Sequence, residues 1–576
     1  MRTKFIVFFL ALLTLVGCQG RSESPHSETT SSPADTLYFG GDILTMAGDE
    51  AEYAEALAVR DGKIVYAGNR AGASGYVDDS TAMRDLGGQM LLPGFIDSHS
   101  HLALTATKLS TVNLDPPPAG GIDSIGDIRT ALTERLESDP PAEGEWLFGW
   151  GYDNAMLAEG RHPTKADLDA VSSEIPIAIF HFSTHMVVLN SAGLAKMGID
   201  ENSVAPEGGV IRRMPDSDEP NGILEETALL PIKLDMLEGL NGDALMPYLA
   251  LAQEDYLSHG FTTISDMAGS PDTRADFMRF ASSGELKIDL LQTMFFQVQS
   301  AEETLEQISS DYENRFRVAG GKINLDGGTP GRTAFLREPY YTQEPGVDPD
   351  YRGYSSIEEQ EDLNTIVEDF YRLEVPVFIH ALGDAAIDQA IVAISNAKSK
   401  YPRDDIRTQL IHLQVLTEDQ METLQDLDVT MTFQNTHNFY FADFHHEHTL
   451  GPERTAKLCP LASAMNAGFS VTIHHDSPVH PVGQLDLIWI AANRVGRSGT
   501  VYGPEERLTP YQALQASTIN AAYQYFEEDR KGSLEVGKLA DLVILDRNPL
   551  KVPVGDIKDL RVMETIKEGD TVWTRD

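Results

Sequence analysis

Cysteine is nearly absent from this chain. Only Cys18 and Cys459 occur in 576 residues, so no disulfide framework organises the fold, and stability must come from an apolar core or bound metal. Basic side chains are scarce as well, with 44 Lys and Arg against 89 Asp and Glu, a formal net charge of −45. A field of that sign repels phosphate backbones and anionic headgroups, which excludes nucleic acid as a partner. Apolar residues still make up 41%, enough to bury a sizeable core and to exclude wholesale disorder. The length exceeds one ordinary domain and suits a large barrel with an accessory domain.

The apolar run at residues 5–17 follows Arg2 and Lys4. It is short for a bilayer span and well sized for a signal peptide. It closes on Leu15-Val16-Gly17-Cys18, which resembles a bacterial lipobox. That resemblance implies removal of residues 1–17, acylation of Cys18, export, and a membrane contact through the lipid anchor only. Residues 18–35, rich in Ser, Thr, Pro and Glu, read as a flexible tether.

Residues 36–92 alternate apolar and polar side chains around Gly-Gly and Asp-Gly turns, and residues 521–576 do the same. One small β-sandwich built from both chain ends is expected. Between them, eight short apolar runs read as buried parallel strands: 91–97, 261–266, 288–296, 322–326, 375–380, 409–413, 429–433 and 469–474. Helix-length intervals separate them, so the expected fold class is α/β, a (β/α)8 TIM barrel over residues 93–520. A ninth run, 175–182, falls in an insertion expected over about 105–245, above the barrel mouth.

Histidine, lysine and aspartate cluster at the ends of these runs. The first leads into His99-Ser100-His101, the fourth holds Lys322, the fifth ends at His380, the sixth carries His412, and the eighth runs into Asp476. Strand ends of a barrel converge at its mouth. Imidazole nitrogen and carboxylate oxygen suit Zn2+ and similar divalent ions. In a His-x-His pair both side chains leave one face of an extended segment and can reach one ion.

PGFIDSHSH, followed in order by that Lys, His, His and Asp, resembles the amidohydrolase superfamily, and GSLEVGKLADLVILD resembles its closing sandwich segment. HPTKADLD, KINLDGGTPGRTAFL and HALGDAAID are similar to the amidohydrolase-3 branch, over about residues 36–550. The resemblance implies that His99, His101 and Asp476 bind one divalent ion and that His380 and His412 bind a second. Lys322, carboxylated by CO2, would bridge the two. It also implies that Asp476 is the general base and that Trp150, Asp153 and His185 approach the substrate. Two departures stand out. Ile411 replaces the family's Glu before the sixth-strand His, and His474-His475 replaces Gly-Ser before Asp476, so that His475 is expected to crowd or extend the site.

The implied reaction is hydrolysis of a small-molecule amide, formamide or cyclic amide by metal-activated hydroxide. A lactonase or esterase on the same centre, and a non-catalytic ligand-binding lipoprotein, are the alternatives. An oligomer is left open. The histidines of His437…His445-His446…His448 are expected in a solvated or substrate-facing loop, and Cys459 as a small buried residue rather than a nucleophile. Lys322 could instead pair with Asp326, and Lys287 is the alternative bridging lysine.

Overall fold

The computed structural model describes residues 32–575 apart from 155, 183–185, 207–208, 239 and 344–346. Cys18 and His185 lie outside the described residues. Five strands open the chain: β1 (Thr36–Leu44), β2 (Tyr53–Arg60), β3 (Lys63–Gly68), β4 (Ala82–Asp85) and β5 (Met90–Pro93). After Gly94 comes β6 (Phe95–Ile96). The run expected as a single strand at 91–97 is thus divided between two sheets. Gly94 makes the division possible, because a Cβ there would lie 2.3 Å from Thr262 Cγ2.

A second group follows: β7 (Val112–Asn113), β8 (Leu147–Tyr152), β9 (Ile177–His181), β10 (Met186–Leu189), β11 (Gly209–Arg213) and β12 (Pro220–Glu226). These form one sheet in the order β11-β12-β10-β9-β8-β7. The ninth apolar run becomes β9. Leu114, Ile128, Leu132, Ile177 and Val188 give this sheet an apolar core of its own.

The main sheet contains β6 and then β13 (Phe261–Gly269), β14 (Asp289–Phe295), β15 (Phe316–Asn324), β16 (Val377–Ala381), β17 (Thr408–His412), β18 (Val429–Phe433) and β19 (Val471–Ile473). All neighbours run parallel in chain order from β6 to β19. Helices such as Met246–Ser258, Pro271–Ser282, Gln360–Leu373 and Asp384–Lys400 fill the crossovers. This is an α/β, TIM-barrel-like domain. Its first and last strands are stitched by a side chain: Ser98 Oγ donates to Ile473 O at 2.9 Å and lies 3.1 Å from Thr432 Oγ1. The fourth strand begins at Phe316, six residues before the expected start. Arg317 and Gly320-Gly321 interrupt the apolar run there, yet Arg317 is buried because Glu527 neutralises it at 2.8 Å.

The chain closes with β20 (Leu542–Leu545), β21 (Val562–Lys567) and β22 (Asp570–Thr574). Both chain ends share one mixed sheet, β22-β21-β20-β5-β1-β2-β3, with β4 on β1. The seam is the antiparallel pair of β5 and β20, Leu91 opposite Ile544. A buried charge cluster ties this sheet to the barrel. Asp289, at the start of β14, meets Lys531 Nζ at 2.5 Å and Lys567 Nζ at 2.7 Å. No helix of the described residues is long and apolar enough to cross a membrane.

Candidate metal centre

The barrel strands deliver their histidines to one point. His380 lies within β16, His412 ends β17, and His99, His101 and Asp476 lie just beyond β6 and β19. Asp476 Oδ1 is 3.2 Å from His99 Nε2 and 3.3 Å from His101 Nε2, and Oδ2 is 3.9 Å from His412 Nδ1. The ring of His412 stands 4.9 Å from that of His99 and 4.4 Å from that of His380. Ligand atoms of His99, His101 and Asp476 all lie within 4.8 Å of one another.

Most of these ligand atoms are buried without being satisfied. Both ring nitrogens of His99, Nδ1 of His412, Nε2 of His380 and Oδ1 of Asp476 have no hydrogen-bond partner among the described residues. Orphaned polar atoms in a core cost about 1–3 kcal/mol each, and native proteins seldom leave several together. Lone pairs that converge in this way fit a divalent cation, and the imidazole and carboxylate donor types fit Zn2+.

The electrostatics agree. Burial holds His99 and His412 far below the usual imidazole range, with Lys322 adding to the effect at His99 and His380 at His412. Both rings are therefore neutral and free to donate lone pairs. Burial alone would raise the Asp476 carboxyl, but His101 and His99 hold it well below the usual carboxylate range.

Lys322 is wholly buried, and burial lowers its amine to about 7 although Asp476 pulls the other way. Its alternative partner Asp326 is engaged elsewhere, accepting from the backbone N–H groups of Phe335, Leu382 and Gly383 and lying 3.5 Å from His380 Nε2. Lys287 is half-exposed and reaches Glu254 at 3.6 Å.

Backbone and second-layer contacts fix the ligands. His412, Leu413 and Asp476 have φ of +76°, +46° and +61°, left-handed turns that aim side chains across the barrel end. Gln434 donates from Nε2 to Asp476 Oδ2 at 3.0 Å and accepts at Oε1 from Gln414 Nε2 at 3.2 Å. Gln414 Oε1 in turn accepts from Thr329 Oγ1 at 2.5 Å.

His475 does not enter this cluster. Its Nδ1 accepts from the Ser477 N–H, its Nε2 lies 3.7 Å from Asp97 Oδ1, and its ring packs beside Tyr256 and Phe261. Its neighbour His474 takes the inward place. Trp150 is buried in the insertion, 5.9 Å from the ring of Phe180, and so packs there. Asp153 lies 3.9 Å from His181, also in the insertion. In the histidine segment after β18, expected to be solvated or substrate-facing, His448 is exposed but His437 and His445 are not solvated. His437 and His445 are buried and 3.1 Å apart, and His445 Nδ1 meets Thr449 Oγ1 at 2.6 Å. Cys459 is buried as expected, its thiol pushed up to about 12 by burial.

Comparisons with known proteins agree with this geometry. Residues 82–573 match the amidohydrolase family. An N-substituted formamide deformylase of Arthrobacter pascens is 25% identical over 530 residues, covering 90% of this chain and 94% of its own. The putative amidohydrolase YtcJ of Bacillus subtilis is 27% identical over 549 residues, covering 94% and 99%. The crystal structure of an uncharacterized metal-dependent hydrolase from Pyrococcus horikoshii superposes with a TM-score of 0.72 at 26% identity, over 90% of this chain and 99% of that one.

Proposed function

Because this chain belongs to the amidohydrolase family and is a hydrolase, we propose that it cleaves non-peptide C–N bonds at a divalent metal centre in the barrel mouth. The substrate class is a small amide, formamide or cyclic amide. The formamide deformylase relative supports that choice. The carrying observation is the set of buried, unpartnered nitrogens facing Asp476. His99, His101 and Asp476 would hold one ion, Zn2+ by donor type, and His380 with His412 a second. Lys322, converted by CO2 to a carbamate anion, would supply an oxygen to each.

When bound, the metal supplies Lewis acidity, which lets water yield hydroxide near neutral pH and polarises the scissile carbonyl. The remaining work belongs to side chains of this chain. Asp476 takes the proton of the attacking water and delivers it to the leaving nitrogen, so that the C–N bond breaks as an acid and an amine form. Gln434 restrains the carboxylate through Oδ2 and leaves Oδ1 turned to His99 and His101. Asp97, accepting from the Ser265 N–H at 3.1 Å and the Ser265 hydroxyl at 2.8 Å, anchors the turn that carries both histidines.

Elemental analysis of purified protein, with turnover of an amide, formamide, lactone and ester panel before and after chelation, tests this reading. Bound metal and chelator-sensitive amide hydrolysis are expected. Preference for esters or lactones would move the assignment to an esterase, and metal-replete protein inert on the whole panel would leave a binding role.

The chain-end sheet is read as the small accessory sandwich, since β1 shifts register between Phe39 and Ile43 and serves β4 before the shift and β5 after it. Export and lipid attachment at Cys18 complete the proposal. A fatty-acid probe should label the parent and not Cys18→Ser, and labelling that survives the change would remove the anchor.

A further inference from the structure

We infer that His474 is an additional protein ligand of the metal centre, placed to join His412 on the second ion, beside His99 on the first. This rests on the metal-centre reading above and extends it with a donor that the implied ligand set does not contain.

His474 continues strand β19 by one residue, its backbone N–H donating to Phe433 O at 3.0 Å, so its Cα is fixed by the barrel ladder. Side chains alternate along an extended segment. His475 accordingly points to Asp97, while His474 points inward on the same side as Asp476. The His474 ring stands 4.8 Å from that of His99 and 5.0 Å from that of His412. Ligand atoms of all three lie within 4.8 Å of one another.

The burial of His474 is complete, and neither ring nitrogen has a hydrogen-bond partner among the described residues. A packing role does not explain this. An apolar side chain would fill the space without leaving two buried polar atoms unpaired. The rings it faces carry unpartnered nitrogens too, so none of the three satisfies another. An ion at His99 and a second ion shared by His412 and His474 satisfy one nitrogen on each ring. Two nitrogens ~2.1 Å from one tetrahedral ion stand ~3.4 Å apart, so side-chain movements of about an ångström bring such a pair together. The second position is then richer in imidazole than the carboxylate-bearing set of His99, His101 and Asp476. Imidazole-rich sets suit Zn2+, Cu2+, Ni2+ and Fe2+ over Mg2+ or Ca2+.

The test is metal content by elemental analysis together with the visible spectrum of the Co2+-loaded full chain. His474→Leu keeps much of the volume and removes the donor, and exposed His448→Ala is the control. His474→Leu should weaken one ion by roughly 10–100-fold or more and alter the Co2+ bands, whereas His448→Ala should match the parent. If His474→Leu is folded by circular dichroism yet keeps the parent stoichiometry, affinity and spectrum, the inference is overturned. If the parent itself binds no divalent ion, the proposed function fails first, and the two failures are told apart. Should His474→Leu not fold, His474→Gly is titrated with free imidazole. Recovery of the parent Co2+ spectrum supports the ligand, and an imidazole-independent spectrum overturns it.

Discussion

Asp289→Asn should be among the most destabilising single changes in this protein, although it lies outside the metal centre. Asp289, Glu527 and Asp541 form a buried set with Lys531, Lys567 and Arg317, three carboxylates against three cations. Asparagine preserves volume but leaves one buried positive charge uncompensated. Its amide also places donors where Lys531 and Lys567 now donate. Breaking a buried pair from one side costs about 3–5 kcal/mol, roughly two to three and a half powers of ten in the unfolding equilibrium. Urea unfolding followed by tryptophan fluorescence measures it. The double variant Asp289→Asn/Lys531→Met should recover part of the loss, because it restores the balance of charge while Glu527 keeps Arg317 and Asp541 keeps Lys567. Acid should narrow the gap. Burial pushes the Asp289 carboxyl up, but Lys531 and Lys567 more than offset this and hold it below its ordinary value. Its stabilisation is therefore complete above the unfolded carboxyl value near 3.9 and fades as pH falls through the depressed folded value. A loss under ~1 kcal/mol at neutral pH, or a double variant weaker than the single, would refute the charge-balance argument.

Other outcomes follow from the barrel mouth. Asp476→Asn keeps one ligand oxygen and removes the proton acceptor, so kcat should fall by roughly 10²-fold or more in metal-replete protein, and near-normal turnover would assign the base elsewhere. Lys322→Ala should lose activity and one ion, with propionate restoring part of both. Retention of both ions and full rate would leave a centre without the carbamate bridge. Gln434→Leu removes the donor to Asp476 Oδ2, and steady-state kinetics should show a kcat loss of roughly tenfold with KM little changed. A pure KM effect would place Gln434 in substrate binding instead.

The eight barrel strands were legible because a strand covered on both faces must be apolar throughout. The same rule hid the start of β15, where the charge of Arg317 is neutralised by Glu527, some 210 residues later in sequence. Gly94 concealed the break between β5 and β6, since its function is a close approach to Thr262 that a string of letters does not reveal. His474 could have been preferred to His475 from parity alone, being two residues from Asp476. The burial of His437 and His445 was not legible. It depends on contacts such as Thr329 to His445, at 3.4 Å, from a loop after a different strand.

The seam between β5 and β20 also has a consequence in time. Leu91 and Ile544 are adjacent in the finished sheet but about 450 residues apart along the chain. Made from the N-terminus at about 5–20 residues per second, β5 waits roughly 20–90 s for that partner. Through that interval Met90-Leu91-Leu92, fully buried in the end, has β1 on one side and an open hydrogen-bonding edge on the other. An unpaired apolar edge is the kind of surface to which a second nascent chain adds. The last 35 residues of this protein thus carry a duty unrelated to chemistry at the barrel mouth: they cap an edge left exposed since the first hundred were made.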